Sequence, residues 1–394
     1  MALIRTQVAI IGGGMIGLAL ANALALRGRE VCVLERGEAK QITTEPTLRV
    51  SALNRAAQNW LIELGAWQLI PKDRQGTYTG MQVWDENQAT GIGFSAEESD
   101  LSHIGTIIEN AVVEGALWLR AKTLKVNLLA EAAIKSFSEH EHDVSLELEN
   151  GDTVLAQVVV AADGGRSQMR QELGLPTTFK DYGQHGLVAT ISSAEGHSYI
   201  ARQAFLPTGP LALLPLAEPN QLSIVWSAPP NKVAELLALP KEDFEQQLTV
   251  ASDVCLGPLT LASERQAFPL RMQYAEQWLK GRVVLAGDAA HTIHPLAGQG
   301  ANLGLGDAWY LAEQLNGLGT LQGQWNNDQL QRALRHYERA RKTAAVRHIA
   351  AMEGFHQLFL IQNPIIKAVR ALGLTTTNRA RAVKRFFIEQ ANQF

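Results

Sequence analysis

Apolar positions along this chain change period several times, and the changes mark its elements. Residues 7–13 form a near-continuous apolar run, the pattern of a strand buried on both faces. Residues 15–27 are rich in Leu and Ala and predict a helix packed on a sheet. A second apolar run, Val31-Cys32-Val33-Leu34, ends at Glu35. Residues 36–47 are polar and contain Pro46, as a loop would. Leu48 to Leu53 then lead into a helix over 54–65, closed by Gly65. Period-two alternation over 79–98 predicts strands of another sheet, and a helix is expected at 107–122. Strands are expected at 125–130, 132–138 and 143–149, with a turn at Glu149-Asn150-Gly151-Asp152. Val158 to Ala162 form another buried strand, which runs into Asp163-Gly164.

From 176 to 272 the pattern changes. Alternating segments at 186–192, 199–206, 211–216 and 222–227 are separated by Gly, Pro and Asn and predict an antiparallel sheet. A helix carrying Glu235, Leu236, Leu237 and Phe244 interrupts it. Residues 282–291 return to the parallel-sheet pattern. They lead to the glycine-rich stretch Pro295-Leu296-Ala297-Gly298-Gln299-Gly300-Ala301-Asn302, which opens a helix running to about 315. The remainder, 326–394, is predominantly helical and basic near 335–348.

The first strand, helix and second strand form a βαβ unit. Gly12, Gly14 and Gly17 stand in G-x-G-x-x-G spacing between strand and helix, with Glu35 at the end of the second strand. That spacing gives a tight turn at Gly12, backbone approach to a diphosphate at Gly14, and close helix–strand packing at Gly17. The helix N-terminus offers free N–H groups and partial positive charge, and Glu35 can accept hydrogen bonds from an adenosine ribose. The unit therefore predicts a dinucleotide site. Asp163 places a carboxylate at the C-terminal edge of a buried strand, where α/β folds bind ligands. Arg49 has two readings, a solvated arginine or a cation facing flavin or substrate.

Composition narrows the class. With 394 residues, 46% hydrophobic and 19% charged, the chain has material for two or three domains of an ordinary α/β protein. A net charge of −4 gives no reason to expect nucleic acid. Its two cysteines, Cys32 and Cys255, make no disulfide framework or zinc spacing, which suits a reducing cytosol. The first strand starts almost at once, leaving no room for a signal peptide, and no apolar run reaches the roughly 18 residues of a membrane span. His291 and His294 are three apart, but no third ligand pattern accompanies them and Pro295 breaks the local helix, so no metal is expected.

Three motifs stand in fixed order: the glycine triplet with Glu35, Asp163-Gly164, and Gly287-Asp288 followed by Pro295, Gly298-Gln299-Gly300 and Asn302. Together, over residues 5 to about 345, they resemble the FAD-dependent aromatic hydroxylases of group A. The resemblance implies a Rossmann-like α/β FAD-binding domain with an inserted antiparallel-sheet substrate domain and a C-terminal helical region. The expected division is 1–75, 99–175 and 273–345 for FAD, 76–98 and 176–272 for substrate, and 346–394 for the tail. It implies bound FAD, with NAD(P)H and O2 as co-substrates and a flavin C4a-hydroperoxide as the oxygen donor to a phenol ring. Asp288 would hold the ribityl chain, and the helix start with Gly300, Ala301 and Asn302 would face the flavin pyrimidine. Asp163 and Gly164 would serve FAD and the nicotinamide reductant. Arg36 and Arg49 are further cofactor candidates. Pro295, Gly298, Gln299 and Gly300 would shape the reactive flavin edge, with Arg49 a second candidate there. A helix N-terminus at that place would stabilise the negative charge of reduced flavin. A single dinucleotide fingerprint speaks against the flavin disulfide reductases.

A narrower resemblance, to the ubiquinone-biosynthesis branch, rests on Leu48 to Ala52, His103-Ile104-Gly105 with Ile108-Glu109-Asn110, Gly287 to Gly300 and Tyr337-Glu338-Arg339. Within it, His185 to Thr190, Ala201-Arg202-Gln203 and Ser223 to Ser227 look most like enzymes hydroxylating carbon 5 of a 2-polyprenylphenol. His185 has two readings, an aid to phenol deprotonation or an ordinary strand-end histidine. The alternatives are hydroxylation at carbon 1 or 6, another aromatic hydroxylase, a halogenase or prenyl reductase, and a non-catalytic flavin-bound member of a quinone-synthesis complex. Implied partners are a polyprenylated phenol and other ubiquinone-biosynthesis proteins. A cytoplasmic place is expected, at the inner membrane if the tail from 361 lies on anionic lipid. In the competing reading that tail docks on the FAD domain or a partner.

Overall fold

In the computed structural model, described for residues 2–85, 87–293, 300–319, 323–360, 384, 385, 388 and 392, three sheets position the candidate site. The largest core surrounds the first strand, Leu3–Ile11. Parallel neighbours flank it, Thr153–Ala161 on one side and Val31–Leu34 on the other. The sheet continues through Val283–Leu285 beyond 153–161 and Asn127–Leu129 beyond 31–34. An antiparallel hairpin, Ile134–Glu139 and Val144–Leu148, adds to one edge. The helix Met15–Leu26 packs on this sheet. Burial within the sheet pushes the Cys32 thiol up to about 12, which leaves it inert at neutral pH.

The second sheet has nine strands. Thr177–Ser193 pairs with Gln221–Ala228 and Gln266–Ala275, and the path runs on through Gly209–Pro215 and Ile200–Leu206. The strands Gly80–Asp85 and Asn87–Ser95 extend it, and Leu259–Leu261 on Thr177–Ser193 and His291–Thr292 on Gln266–Ala275 complete the nine. The expectation of an antiparallel sheet holds except at one junction, where Ile200–Leu206 and Gly80–Asp85 run parallel. They come from distant parts of the chain, so no hairpin dictates their direction. The helices Pro230–Ala238 and Lys241–Ala251 cover one face through Leu187, Ile224, Trp226, Leu236 and Phe244.

Two expected boundaries are corrected. Leu48 to Leu53 do not lead directly into a helix, because Val50–Asn54 is a strand and the helix is Arg55–Glu63. The helix expected at 107–122 is the strand Gly105–Glu109 followed by the helix Asn110–Thr123. These strands pair with each other, and Gly76–Tyr78 joins them as a third sheet. Every residue from Gly105 to Glu109 is buried, so pairing on both edges overrides the helical appearance of the run. The small sheet packs against the large antiparallel one through Val50, Ala52, Ile107, Met81, Ala201 and Leu214. Two long helices, Gly300–Asn316 and Asn327–Leu360, close the structure. No helix among the described residues is long and apolar enough to cross a membrane.

Candidate functional site

The glycine triplet forms a close-fitted turn. A β-carbon on Gly12, whose φ is +108°, would stand 2.3 Å from the Ala162 carbonyl oxygen. One on Gly17 would stand 2.1 Å from the Gly12 carbonyl oxygen. The first contact locks the turn to the Asp163 strand end, and the second presses the helix onto the turn. At Gly14 the nearest atom to an added β-carbon is Glu114 Oε1, 3.8 Å away, so the backbone there is approachable. Glu35 is held in place at the strand end. Its Oε2 accepts from Gly13 N–H at 2.7 Å, and its Oε1 accepts from Gly37 N–H at 2.8 Å with Lys40 Nζ at 3.7 Å. Arg36, next in sequence, is exposed.

Asp163 is split between two roles. Its Oδ2 accepts from Gln168 N–H at 2.8 Å, capping a short helix, while its buried Oδ1 has no protein partner. A buried carboxylate oxygen left unpaired is costly unless a ligand supplies the donor. Gly164 follows with φ +81° and nothing within 4 Å of an added β-carbon. Arg170, one turn on, ties this corner to the Gly287 turn. Its guanidinium donates to the Gly165 and Ala289 carbonyls, both at 2.7 Å.

Gly287 and Asp288 lie at the tip of Val283–Leu285, and the next residues pair into the antiparallel sheet as His291–Thr292. The turn is anchored from below by Asp307, fully buried on the helix Gly300–Asn316. Asp307 accepts from Gly287 N–H at 3.1 Å, from His291 Nε2 at 2.6 Å and from Arg341 Nε at 2.8 Å. Arg341 also donates to the Leu303 carbonyl. Burial raises the Asp307 carboxyl, but His291 and Arg341 outweigh it and hold it below the usual carboxylate range. Asp288 moves the other way. Burial raises it and Asp307 adds to the rise, while His291 and Arg49 oppose. Arg49 is therefore close enough to act on both Asp288 and Glu114, although it is exposed.

Gly300, Ala301 and Asn302 open the helix that faces this corner. A β-carbon on Gly300 would meet nothing within 4 Å. Asn302 spends its side chain on the small sheet, donating to the Ala52 carbonyl at 2.8 Å and accepting from Asn54 N–H at 3.0 Å. Asn302→Leu removes both bonds and is expected to cost about 1–3 kcal/mol for each backbone group left unpaired, read as a lower urea midpoint with unchanged slope. His294, Pro295, Gly298 and Gln299 lie outside the described residues.

The structure thus brings Gly12, Gly14, Gly17, Glu35, Asp163, Gly287, Asp288 and Asn302 to one edge where the parallel sheet meets the antiparallel one. It also shows supports whose pairing no local pattern in the sequence announces. Besides Arg170, Asp307 and Arg341, these are Glu109 and Arg74. Arg74 grips Glu109 through Nε and Nη2, both at 2.7 Å, and donates to the Thr43 carbonyl, fixing the loop before Arg49.

The uncovered face of the antiparallel sheet continues from this edge. Register places Val188, Val225, Ala212, Gln203 and Val83 side by side across five strands. Val225, Ala212 and Val83 are half-buried, whereas the adjoining row containing Leu214, Ala201 and Met81 is packed against the small sheet. Gln203 is the one amide in the five-residue row. His185 alternates onto the opposite side, with Leu187 and Ala228, which the two helices cover. That placement leaves it away from the row, and it stands in the middle of Thr177–Ser193 rather than opening a strand as expected, because the pairing with Gln266–Ala275 extends the strand back to Thr177.

The arrangement fits FAD. An approachable glycine turn sits at a helix N-terminus, an anchored acid stands where a ribose belongs, and a buried carboxylate oxygen waits for a donor. Glu35 would hold adenosine hydroxyls, the 14–15 backbone the diphosphate, and Asp288 the sugar-like chain, with Asp163 offering its unpaired Oδ1 to the cofactor from the other side of the glycine turn.

The FAD binding domain family matches residues 5–351. The chain is 32% identical over 389 residues to 3-demethoxyubiquinol 3-hydroxylase of Escherichia coli, covering 98% of each chain. It is 33% identical over 387 residues to ubiquinone hydroxylase UbiL of Rhodospirillum rubrum, covering 98% of this chain and 89% of the relative. In fold it matches p-nitrophenol 4-monooxygenase PnpA of Pseudomonas putida, with TM-score 0.79, 19% identity and coverage of 100% and 99%.

Proposed function

This chain belongs to the FAD-binding-domain family of flavin-dependent monooxygenases, in the branch of the ubiquinone-pathway hydroxylases, and from that premise we propose that it hydroxylates a polyprenylated phenol at ring carbon 5. The observation that carries the substrate class is the row of half-buried Val225, Ala212 and Val83 with buried Val188 around the buried Gln203, next to the FAD corner. An apolar floor suits a prenyl-bearing ring, and an uncharged amide can hold a phenol hydroxyl as donor or acceptor. Residues 76–98 and 176–272 would supply this floor and the rest of the described chain the flavin cradle.

Bound FAD supplies reduction by NAD(P)H and activation of O2. The protein's own part is to place and shield. The Gly12 turn and Glu35 fix one end of the cofactor, and the Asp307 network sets the height of the Gly287-Asp288 turn. The helix beginning at Gly300 would offer N–H groups and a positive dipole to the flavin, which would favour negative charge there. The sheet floor keeps water from the ring. No acid or base side chain is assigned to the transfer.

Ring position rests on the likeness of His185 to Thr190, Ala201 to Gln203 and Ser223 to Ser227 to carbon-5 enzymes. A second reading, hydroxylation of a demethoxyubiquinol, is favoured by the name of the Escherichia coli relative. Product mass spectrometry in aerated cells lacking one or the other hydroxylase separates them. Loss of accumulated 2-polyprenylphenol with recovery of ubiquinone is the expected result. Rescue only of the strain that accumulates demethoxyubiquinone would move the assignment to the second reading.

The described tail residues bear on location. Lys384 Nζ donates to Glu98 Oε1 at 2.5 Å, Ile388 is buried, and Asn392 Oδ1 accepts from Arg55 N–H at 3.0 Å. These contacts support the docked reading of the tail over one lying on lipid.

A further inference from the structure

One charged group stands in the diphosphate cradle itself. Glu114, on the helix Asn110–Thr123, stands beside Met15, the first residue of the fingerprint helix, whose N–H favours its charged form. Its Oε1 lies 3.8 Å from where a β-carbon on Gly14 would be. That is the approach surface that the glycine spacing reserves for a diphosphate. The helix bearing Glu114 has little freedom to withdraw. A β-carbon on Gly115 would lie 2.5 Å from the Gln41–Ile42 backbone, and Trp118 packs 3.0 Å from the β-carbon position of Gly13.

The surroundings act unequally on the Glu114 carboxyl. Burial raises it above the usual carboxylate range. Lys40, Arg49 and the Met15 N–H oppose the rise, and Glu35 reinforces it. These are the charged groups that face it, Lys40, Arg49 and Glu35 from the segment after the second strand, and the helix N-terminus from below. An anionic carboxylate at this distance repels a diphosphate, while a neutral one can remain or donate to it.

Resting on the FAD assignment, we propose that Glu114 is a proton-linked gate on the diphosphate cradle: it lines the approach to Gly14 in the FAD-free chain and is neutral when FAD is seated, so that FAD binding takes up a proton. The sign follows directly. As pH rises, the neutral fraction falls and FAD binds more weakly.

The test uses the full chain stripped of flavin and titrated with FAD, followed by flavin fluorescence between pH 6 and 8.5. Calorimetry in buffers of different ionisation enthalpy counts the protons. The wild-type Kd is expected to rise about tenfold across that range, the effect of one like-charge contact near 4 Å in a half-buried site. Glu114→Gln keeps the hydrogen-bonding shape and is expected to give a flat profile, tighter binding at pH 8.5 and no proton uptake. A wild-type Kd independent of pH with no proton taken up would overturn the gate, and so would a Glu114→Gln variant that keeps the wild-type slope. The wild-type proton count decides the matter even if the variant folds poorly. Failure to bind FAD at any pH would instead overturn the cofactor assignment together with the gate.

Discussion

Asp307→Ala is expected to lower the free energy of unfolding by about 3–5 kcal/mol, the usual cost of removing one member of a buried ion pair. The carboxylate is fully buried and binds three partners, so its loss strands the Arg341 guanidinium, which is 4% exposed, and frees the Gly287 N–H. Asp307→Asn keeps the shape and one acceptor and should lose less. Urea unfolding at pH 7 measures both, and a loss under about 1 kcal/mol for alanine would show that the network is not a structural keystone. The pH dependence has a definite sign. The Asp307 carboxyl is held below its unfolded value, so its contribution is present above that value and disappears as pH falls through the lower, folded one. The gap between wild type and Asp307→Ala should therefore narrow only in acid, below about pH 4. Because Asp307 also positions Gly287, FAD retention should fall along with stability.

The second large effect is at Gly12. Gly12→Ala is expected to yield protein purified essentially without flavin, with FAD affinity reduced about 100-fold or more, because two penalties coincide. The φ of +108° is one that a side chain rarely adopts, and the added β-carbon would stand 2.3 Å from a backbone oxygen that has no rotamer to move. Gly164→Ala carries only the first penalty, since φ is +81° but nothing lies within 4 Å, and should cost about 1–2 kcal/mol. Gly300→Ala carries neither and should fold as wild type. Flavin absorbance per protein together with thermal unfolding ranks the three. Normal flavin content in Gly12→Ala would remove the turn from the cofactor site.

The two predictions differ in how far the sequence foretold them. Gly12, Gly14, Gly17 and Glu35 announce their site in a single stretch, because the turn chemistry, helix start and acid are all local. The buried strand at 31–34, the 158–161 half of Thr153–Ala161 and the helix Met15–Leu26 were equally legible, since continuous apolar runs and helical spacing need no partner to be read. The helix and strand confusion at 105–110 shows the limit. Gly-Thr-Ile-Ile-Glu is a strand because Val50–Asn54 and Gly76–Tyr78 flank it, and neither lies near it in the chain.

What the sequence determined by itself was the chemistry that depends on short spacing: a dinucleotide cradle, a strand-end Asp-Gly turn, a Gly-Asp turn ahead of a glycine-rich helix, and the family they imply. What only the tertiary structure decided was how those pieces are held and which side chains share a face. Asp307 and Arg341 are 34 positions apart, and Arg74 and Glu109 are 35 apart, so no local pattern couples them. The floor of Val188, Val225, Ala212, Gln203 and Val83 exists only once five strands are in register, and a slip of one residue would turn it to the helix-covered side. Glu114 shows the same division. Its sequence context is that of an ordinary helix packed in the core, and only close packing at Gly115 and Trp118 brings its carboxylate beside Gly14. Local spacing encodes what the backbone can do at one place, whereas long-range packing sets which charges meet there.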